Sequence, residues 1–290
     1  MKSVDFLKLH IDVLEEFFSP TWFSLKKNNA HPAHRNWALC HKLIDQGGII
    51  KYPEQRSELN EIAKVVLDSV ILVTITEGDS KSLKLGSLDL FGDEAVKKKI
   101  TSRITDPEQF DDLMVELSFA AWHKKRGNKI VPFEKECLPD LKLEISGASV
   151  PIYFECKHLR SISTNRLNDV IKKANSQIKA VDEPHFGIAV LDVSTPASIG
   201  LVESDDVPDK IKVIETAVQN IMNYNKNRSV EMAILLWDEY KIRGKPPEKT
   251  MIYYKRRHLR VPHMTSCKPI LLQLPLFKMF WTAYSVLWKT

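Results

Sequence analysis

Two carboxylates and an ammonium stand at a spacing that could bring them together: Pro139-Asp140, then fourteen residues, then Glu155-Cys156-Lys157. The turn-forming Ser146-Gly147-Ala148-Ser149 separates two strand-like runs, Asp140 to Ile145 and Val150 to Lys157. A symmetric hairpin pairs Ile145 with Val150, Leu143 with Ile152 and Leu141 with Phe154, which sets Asp140 opposite Glu155. Directly opposed residues share a sheet face, with Cβ atoms roughly 4.5–5.5 Å apart. Alternation then gathers Tyr153, Glu155 and Lys157 beside Asp140, and leaves Leu141, Leu143, Ile145, Ile152, Phe154 and Cys156 on an apolar face. Opposed carboxylates repel unless something positive lies between them. A divalent cation meets that need: Mg²⁺ takes one or two carboxylates and keeps room for phosphate oxygens, and Lys157 is near enough to polarise a phosphate or orient a water. The residues alone leave a plainer alternative, in which Asp140, Glu155 and Lys157 form the solvated side of a two-faced hairpin.

Flanking elements must hold such a hairpin in place. Upstream, Asp106-Pro107-Glu108-Gln109 reads as a helix start and Gly127 as its stop. Leu113, Leu117, Ala120 and Ala121 make the buried stripe, with Glu116 on its edge, facing either the sheet or a neighbouring base such as Lys124. Downstream, a helix from about Thr164 to Val181 carries Leu167, Val170, Ile171, Ala174, Ile178 and Val181 on one stripe, and Gln177 falls inside it. A glutamine on a core face needs hydrogen-bond partners, which the preceding strand could supply. Lys173 on the same side reads as a solvated charge. Further strands are expected at His185 to Val193, Glu231 to Trp237 and Met251 to Tyr254, with a helix at about Val207 to Tyr224, an α/β alternation around a mixed sheet. Asp192 and Asp238 close two of the strands and read as turn or capping residues.

The order of these elements, over about residues 106 to 195, resembles the PD-(D/E)XK nuclease superfamily: Pro139-Asp140 and Glu155-Cys156-Lys157 stand where that motif requires them. The resemblance implies a restriction-endonuclease-like core, a mixed central sheet flanked by helices. It implies that Asp140 and Glu155 bind Mg²⁺, with Mn²⁺ able to substitute, that Glu116 assists as a further ligand, and that Lys157 is catalytic. Gln177 corresponds to a glutamine that some branches carry on the next helix, although Val181 stands here where those branches have tyrosine. The expected activity is metal-dependent phosphodiester hydrolysis, by a DNA endonuclease of bacterial restriction or anti-phage defence. The substrate is DNA in preference to RNA, and a homodimer would let two sites cut both strands of a duplex. The alternative is a nuclease-like fold that binds nucleic acid or protein without cutting.

The remainder of the chain narrows the classes. Its 290 residues, 43% hydrophobic, suffice for a sizeable core in one large or two modest domains. The first hundred residues, with amphipathic helices at about Val4 to Phe18, Trp37 to Gln46 and Glu58 to Leu72, read as a helical recognition or regulatory module. The boundary is set near Lys97-Lys98-Lys99, leaving residues 101–290 to the nuclease-like domain. Cys40, Cys137, Cys156 and Cys267 lack CxxC spacing, and Asp5 interrupts the opening segment, so a reducing cytoplasm is the expected compartment. His31, His34, Cys40 and His41 are zinc-ligand types, but no spacing among them resembles a finger, and they read as ordinary polar and capping residues. Ile270 to Trp288 is apolar but broken by Gln273, Pro275 and Lys278; it reads as a buried terminal helix, without stable membrane insertion. A net charge of +5 permits nucleic-acid binding, and the run Tyr253-Tyr254-Lys255-Arg256-Arg257-His258-Leu259-Arg260 reads either as a phosphate contact or as a charged edge strand. No Walker, dinucleotide-binding, HExxH or GxSxG motif is present.

Overall fold

A computed structural model of the protein describes residues 3–46, 58–75, 94–124, 127–132, 137–145, 149–197, 200–201, 206–224, 229–243, 250–263 and 286–288. Helices come first: α1 (Ser3–Phe18), α2 (Pro20–Ser24), a 3₁₀ turn (Lys26–Asn28), α3 (Pro32–Asp45), α4 (Glu58–Ile75), α5 (Glu94–Ile104) and α6 (Phe110–Lys124). Strands and helices then alternate: β1 (Lys129–Pro132), β2 (Leu141–Glu144), β3 (Ile152–His158), α7 (Thr164–Lys179), β4 (Phe186–Asp192), α8 (Ser194–Ala197), β5 (Gly200–Leu201), α9 (Asp209–Tyr224), β6 (Met232–Arg243), β7 (Thr250–Pro262) and β8 (Val286–Trp288). The fold is α/β, with one mixed sheet in the order β1-β2-β3-β4-β6-β7-β8 and β5 added beside β6.

Two compact units divide the chain. The first takes α1 to α5, α6 as far as Ala121, Tyr240–Tyr254 and β8; the second takes Trp122–Glu239 and, from Lys255, the rest of β7. In the first unit Leu7, Ile11, Leu14 and Phe17 recur at helical spacing along α1 and join Leu43 of α3, Val65 and Leu72 of α4, Ile104 of α5 and Phe110 and Leu117 of α6 in one buried core. Because α5 and α6 bury their apolar faces here, the division falls within α6, not near the lysine run at residues 97–99. Local chemistry fixes the helix starts. Ser19, at φ 73°, accepts the Trp22 amide and Pro20 follows it, while His31 Nδ1 accepts the Ala33 amide and Pro32 follows. The helix expected from Asp106 begins at Phe110, but Asp106 still holds its entry by accepting the Glu108 amide at 2.9 Å. Gly127 adopts φ 74° just beyond the helix.

The expected C-terminal helix is corrected for Val286–Trp288, which form β8 and pair antiparallel with β7, Ile252 opposite Val286 and Thr250 opposite Trp288. A short apolar run does not distinguish helix from strand by itself; a neighbouring strand with unpaired backbone groups decides it. Residues 270–285 of that expectation lie outside the described residues. No helix among the described residues is long and apolar enough to cross a membrane.

In the second unit β1, β2 and β3 run antiparallel, whereas β3, β4 and β6 run parallel. Parallel neighbours need crossovers, which α7 and α9 help to supply. Both pack through Leu167, Ile171, Ile178, Ile211 and Val218 onto the face that carries Ala189, Leu191, Ala233 and Leu235. In the parallel register Glu155 pairs with Ala189 and Lys157 with Leu191, so Glu155 and Lys157 belong to that helix-covered face. Phe154, Cys156, Ile188, Val190, Ile234 and Leu236 are buried on the other.

Candidate active site

The hairpin register has Leu141 opposite Phe154, Lys142 opposite Tyr153 and Leu143 opposite Ile152, the pairing derived from alternation; residues 146–148 of its turn lie outside the described residues. Asp140 sits one residue before β2 begins, and its side chain extends the ladder: Oδ2 accepts the Cys156 amide at 2.8 Å. That bond aims the Asp140 carboxylate across the end of β3. Lys157 Nζ lies 2.8 Å from Glu155 Oε1 and 3.5 Å from Asp140 Oδ2, so one ammonium touches both acids. The cation demanded by two opposed carboxylates is here an internal one.

Burial separates the three residues. The Glu155 side chain is 1% exposed, Asp140 11% and Lys157 17%. Sequence alternation suggested a solvated polar face, but β3 lies between β2 and β4 beneath α7, so Tyr153 and Glu155 are as buried as their apolar neighbours. A charged carboxylate in such a place requires a positive or hydrogen-bonding partner, and the ammonium beside Glu155 is one.

Gln177 is buried on α7, and its Nε2 donates to the Leu138 carbonyl at 2.9 Å. The helix thereby holds the segment that leads through Pro139 into Asp140, a positioning contact two residues from the carboxylate. Glu116 is buried in the first unit, where the Arg103 guanidinium grips it in a fork, Nη1 to Oε2 at 2.7 Å and Nη2 to Oε1 at 2.5 Å. A metal ion on Glu116 would have to compete with that guanidinium.

Asp140 and Glu155 suit a hard divalent cation: two carboxylates, with the rest of the shell open to water or substrate oxygen, are what Mg²⁺ ordinarily accepts. No group of three or more His, Cys, Asp and Glu side chains converges as a metal site among the described residues. The fit therefore rests on the carboxylate pair and on the cation position that Lys157 marks.

A second polar cluster, at the ends of β3 and β4 and within β6 and β7, was only partly foreseen. Its residues His158 and Asp192 pair across the strands, and by alternation they face away from Lys157. Asp192 Oδ2 takes His158 Nδ1 and Arg256 Nη2, both at 3.3 Å, while Oδ1 accepts the Ser194 amide and hydroxyl and so caps α8. Arg256 also donates from Nε and Nη2 to Asp238 at 2.8 and 3.1 Å. Burial alone would push the Asp192 carboxyl up, but Arg256, His158 and Ser194 together hold it well below the usual range. The basic run is thus neither a solvated edge nor wholly a phosphate contact: Arg256 is buried in ion pairs, and Arg257 donates to Glu239 at 3.2 Å and lies over the Trp237 ring. The two aspartates expected to close strands were the sequence signal for this cluster; Asp192 does end β4, whereas Asp238 lies inside β6 and pairs with Arg256 instead of capping a turn.

The four zinc-ligand types near the N-terminus hold no common centre. His31 donates from Nε2 to Ile104, His34 from Nε2 to Phe23, His41 meets Glu15, and Cys40 is buried, its thiol pushed up to about 12. No family model matches the chain, and no curated protein matches it in sequence.

Proposed function

We propose that the chain is a divalent-metal-dependent nuclease with a restriction-endonuclease-like core. One observation carries this reading: a single ammonium, Lys157 Nζ, lies against both the Asp140 and Glu155 carboxylates at the end of an interior strand. Asp140 and Glu155 would hold Mg²⁺ or Mn²⁺, and such an ion would supply Lewis-acid polarisation of a phosphate oxygen and a more acidic water. Lys157, once turned from the carboxylates, donates hydrogen bonds to a non-bridging phosphate oxygen and steadies the incoming nucleophile. Gln177 keeps the Asp140 segment fixed while charge builds up nearby. Glu116 keeps Arg103 as its partner in the first unit and takes no part in this site.

DNA is the favoured substrate, and restriction or anti-phage defence the corresponding role. The helix that carries Gln177 supports a polyanionic substrate: Arg166 and Lys173 stand eleven and four residues before it, on nearly the same angular stripe, and both are exposed. Cutting both strands of a duplex calls for two sites, which a homodimer would provide. The deep burial of Glu155 favours a second reading, in which the ion-paired trio is closed and the fold binds nucleic acid without cutting. Cleavage of plasmid, single-stranded DNA and RNA with Mg²⁺ or Mn²⁺ separates the two. Cutting that needs metal, stops in EDTA and disappears in Lys157→Ala supports the nuclease. A folded wild type that cuts nothing, while still binding nucleic acid, supports the second reading.

A further inference from the structure

A separate concentration of positive charge lies on the helical unit. Between Phe17 and Ile44 the sequence contains Lys26, Lys27, Arg35 and Lys42 and no Asp or Glu. All four bases are exposed, and none enters an ion pair with a described residue. Arg35 and Lys42 are seven residues apart on α3, hence on one stripe about 10 Å long, and the exposed residue between them is the small Ala38.

Ala38 separates that stripe from an aromatic one centred roughly 120° round the helix. His34, Trp37 and His41 are half-buried in a ladder with ring centroids 5.5 and 4.4 Å apart, and Trp37 stacks on Phe23 at 4.7 Å. The turn bearing Lys26 and Lys27 is tied to the same frame. His34 Nε2 donates to the Phe23 carbonyl at 2.9 Å, Asn28 Nδ2 to that of Trp22 at 2.7 Å, and the His31 amide to that of Asn28 at 2.9 Å. Glu15, which reaches this stripe from α1, is engaged inward, accepting from Trp37 Nε1 at 2.9 Å and meeting His41 Nε2 at 3.0 Å. The positive heads are therefore presented from an ordered surface on which Glu15 is already engaged and Asp45, at the end of α3, is the exposed acid nearest Lys42.

We infer that this α2–α3 face binds single-stranded nucleic acid, its phosphates on Lys26, Lys27, Arg35 and Lys42 and its bases against the Trp37 and His34 edge. Cations bordered by aromatic rings suit a flexible polyanion with unstacked bases better than an acidic peptide, which offers charge without planar groups. The inference does not depend on the chain being a nuclease.

The test is fluorescence anisotropy of a labelled 20-mer, as single-stranded DNA, single-stranded RNA and duplex, with the full chain in EDTA across a salt series. In the K26E/K27E/R35E/K42E variant, single-strand affinity is expected to fall on the order of 100-fold at 0.1 M salt, and the log–log salt slope to flatten by about 3, from about 0.7 per lost contact. Trp37→Ala should weaken single strands at least several-fold more than duplex. A folded quadruple variant that binds as wild type overturns the proposal, as does polyglutamate displacing the strand as well as unlabelled oligonucleotide does. Should charge reversal prevent folding, the four-glutamine variant replaces it, with at least a ten-fold loss expected. The anisotropy is read in EDTA, where the metal-dependent cleavage of the nuclease reading is off, so the two ideas fail separately.

Discussion

Replacing Lys157 by methionine keeps most of the side-chain stem and removes the charge that touches both acids. The ammonium lies 2.8 Å from Glu155 and 3.5 Å from Asp140. At an effective dielectric of about 20, unit charges at those separations attract by about 6 and 5 kcal/mol, before the cost of desolvating them. Measured losses on deleting one member of a buried pair run to about 3–5 kcal/mol. With Lys157 17% exposed, the lower end applies, about 3 kcal/mol in EDTA, or a fall in Tm of roughly 6–10 °C. The loss should be metal-reversible. A divalent ion at about 100 times its Kd returns about 2.7 kcal/mol, and the variant should gain more from Mg²⁺ or Mn²⁺ than wild type, in which the ion must first displace the ammonium. Lys157→Met combined with Glu155→Gln should recover most of the EDTA loss, because the pair is coupled. Scanning calorimetry with and without metal reads all of this. The reasoning is refuted if the variant melts within about 1 °C of wild type in EDTA, or if metal raises both melting points equally.

Other expectations follow from single contacts. Gln177→Leu removes the donor to Leu138 and should cost only about 1 kcal/mol by urea denaturation, yet under the nuclease reading lower cleavage roughly ten-fold or more by loosening the Asp140 segment. Under the nuclease reading, Arg166→Glu with Lys173→Glu should raise KM for DNA and flatten its dependence on salt, with little change in melting temperature. Burial lowers His10 and His31 to about 4, so both stay neutral in the folded chain while the unfolded chain protonates them near 6.5. Stability should therefore fall as pH drops from 6.5 towards 4, by up to about 2 kcal/mol per histidine at pH 5, and His10→Asn should flatten that slope in urea titrations. In Gly187→Ala the added Cβ would lie 1.9 Å from the Ser229 carbonyl oxygen, which cannot swing away as a side chain would. A loss of about 3 kcal/mol or more is expected in equilibrium unfolding.

The parts that sequence reading recovered are those governed by neighbours in the chain. The β2–β3 register could be derived because alternating Leu141, Leu143, Ile152 and Phe154 admit one pairing that buries them all. The phase of α7 was readable for the same reason, and with it the inward placement of Gln177. What was hidden depends on partners distant in sequence. Nothing in Tyr153 to Lys157 announces that α7 will cover the Glu155 face of β3 while β4 pairs along its edge, so Glu155 looked solvated. Arg256 looked like one base in an exposed run because its acids, Asp192 and Asp238, lie 64 and 18 residues away. The end of the chain misled because Val286, Leu287 and Trp288 are apolar in any conformation, and only the edge of β7 makes them a strand.

Cys156 divides its labour between backbone and side chain. Its amide anchors Asp140, while its side chain lies wholly within the core behind the sheet. Every amino acid except proline can supply that amide. The middle position of the acid-X-lysine triplet is thus released from the chemistry in front of it and answers only to the volume available behind. Exchange there among small apolar residues repacks the core and leaves the Glu155 and Lys157 side chains, which stand on the opposite face, undisturbed. The same arrangement gives protein engineers a place to tune stability one bond from the site while its polar geometry is inherited from the main chain.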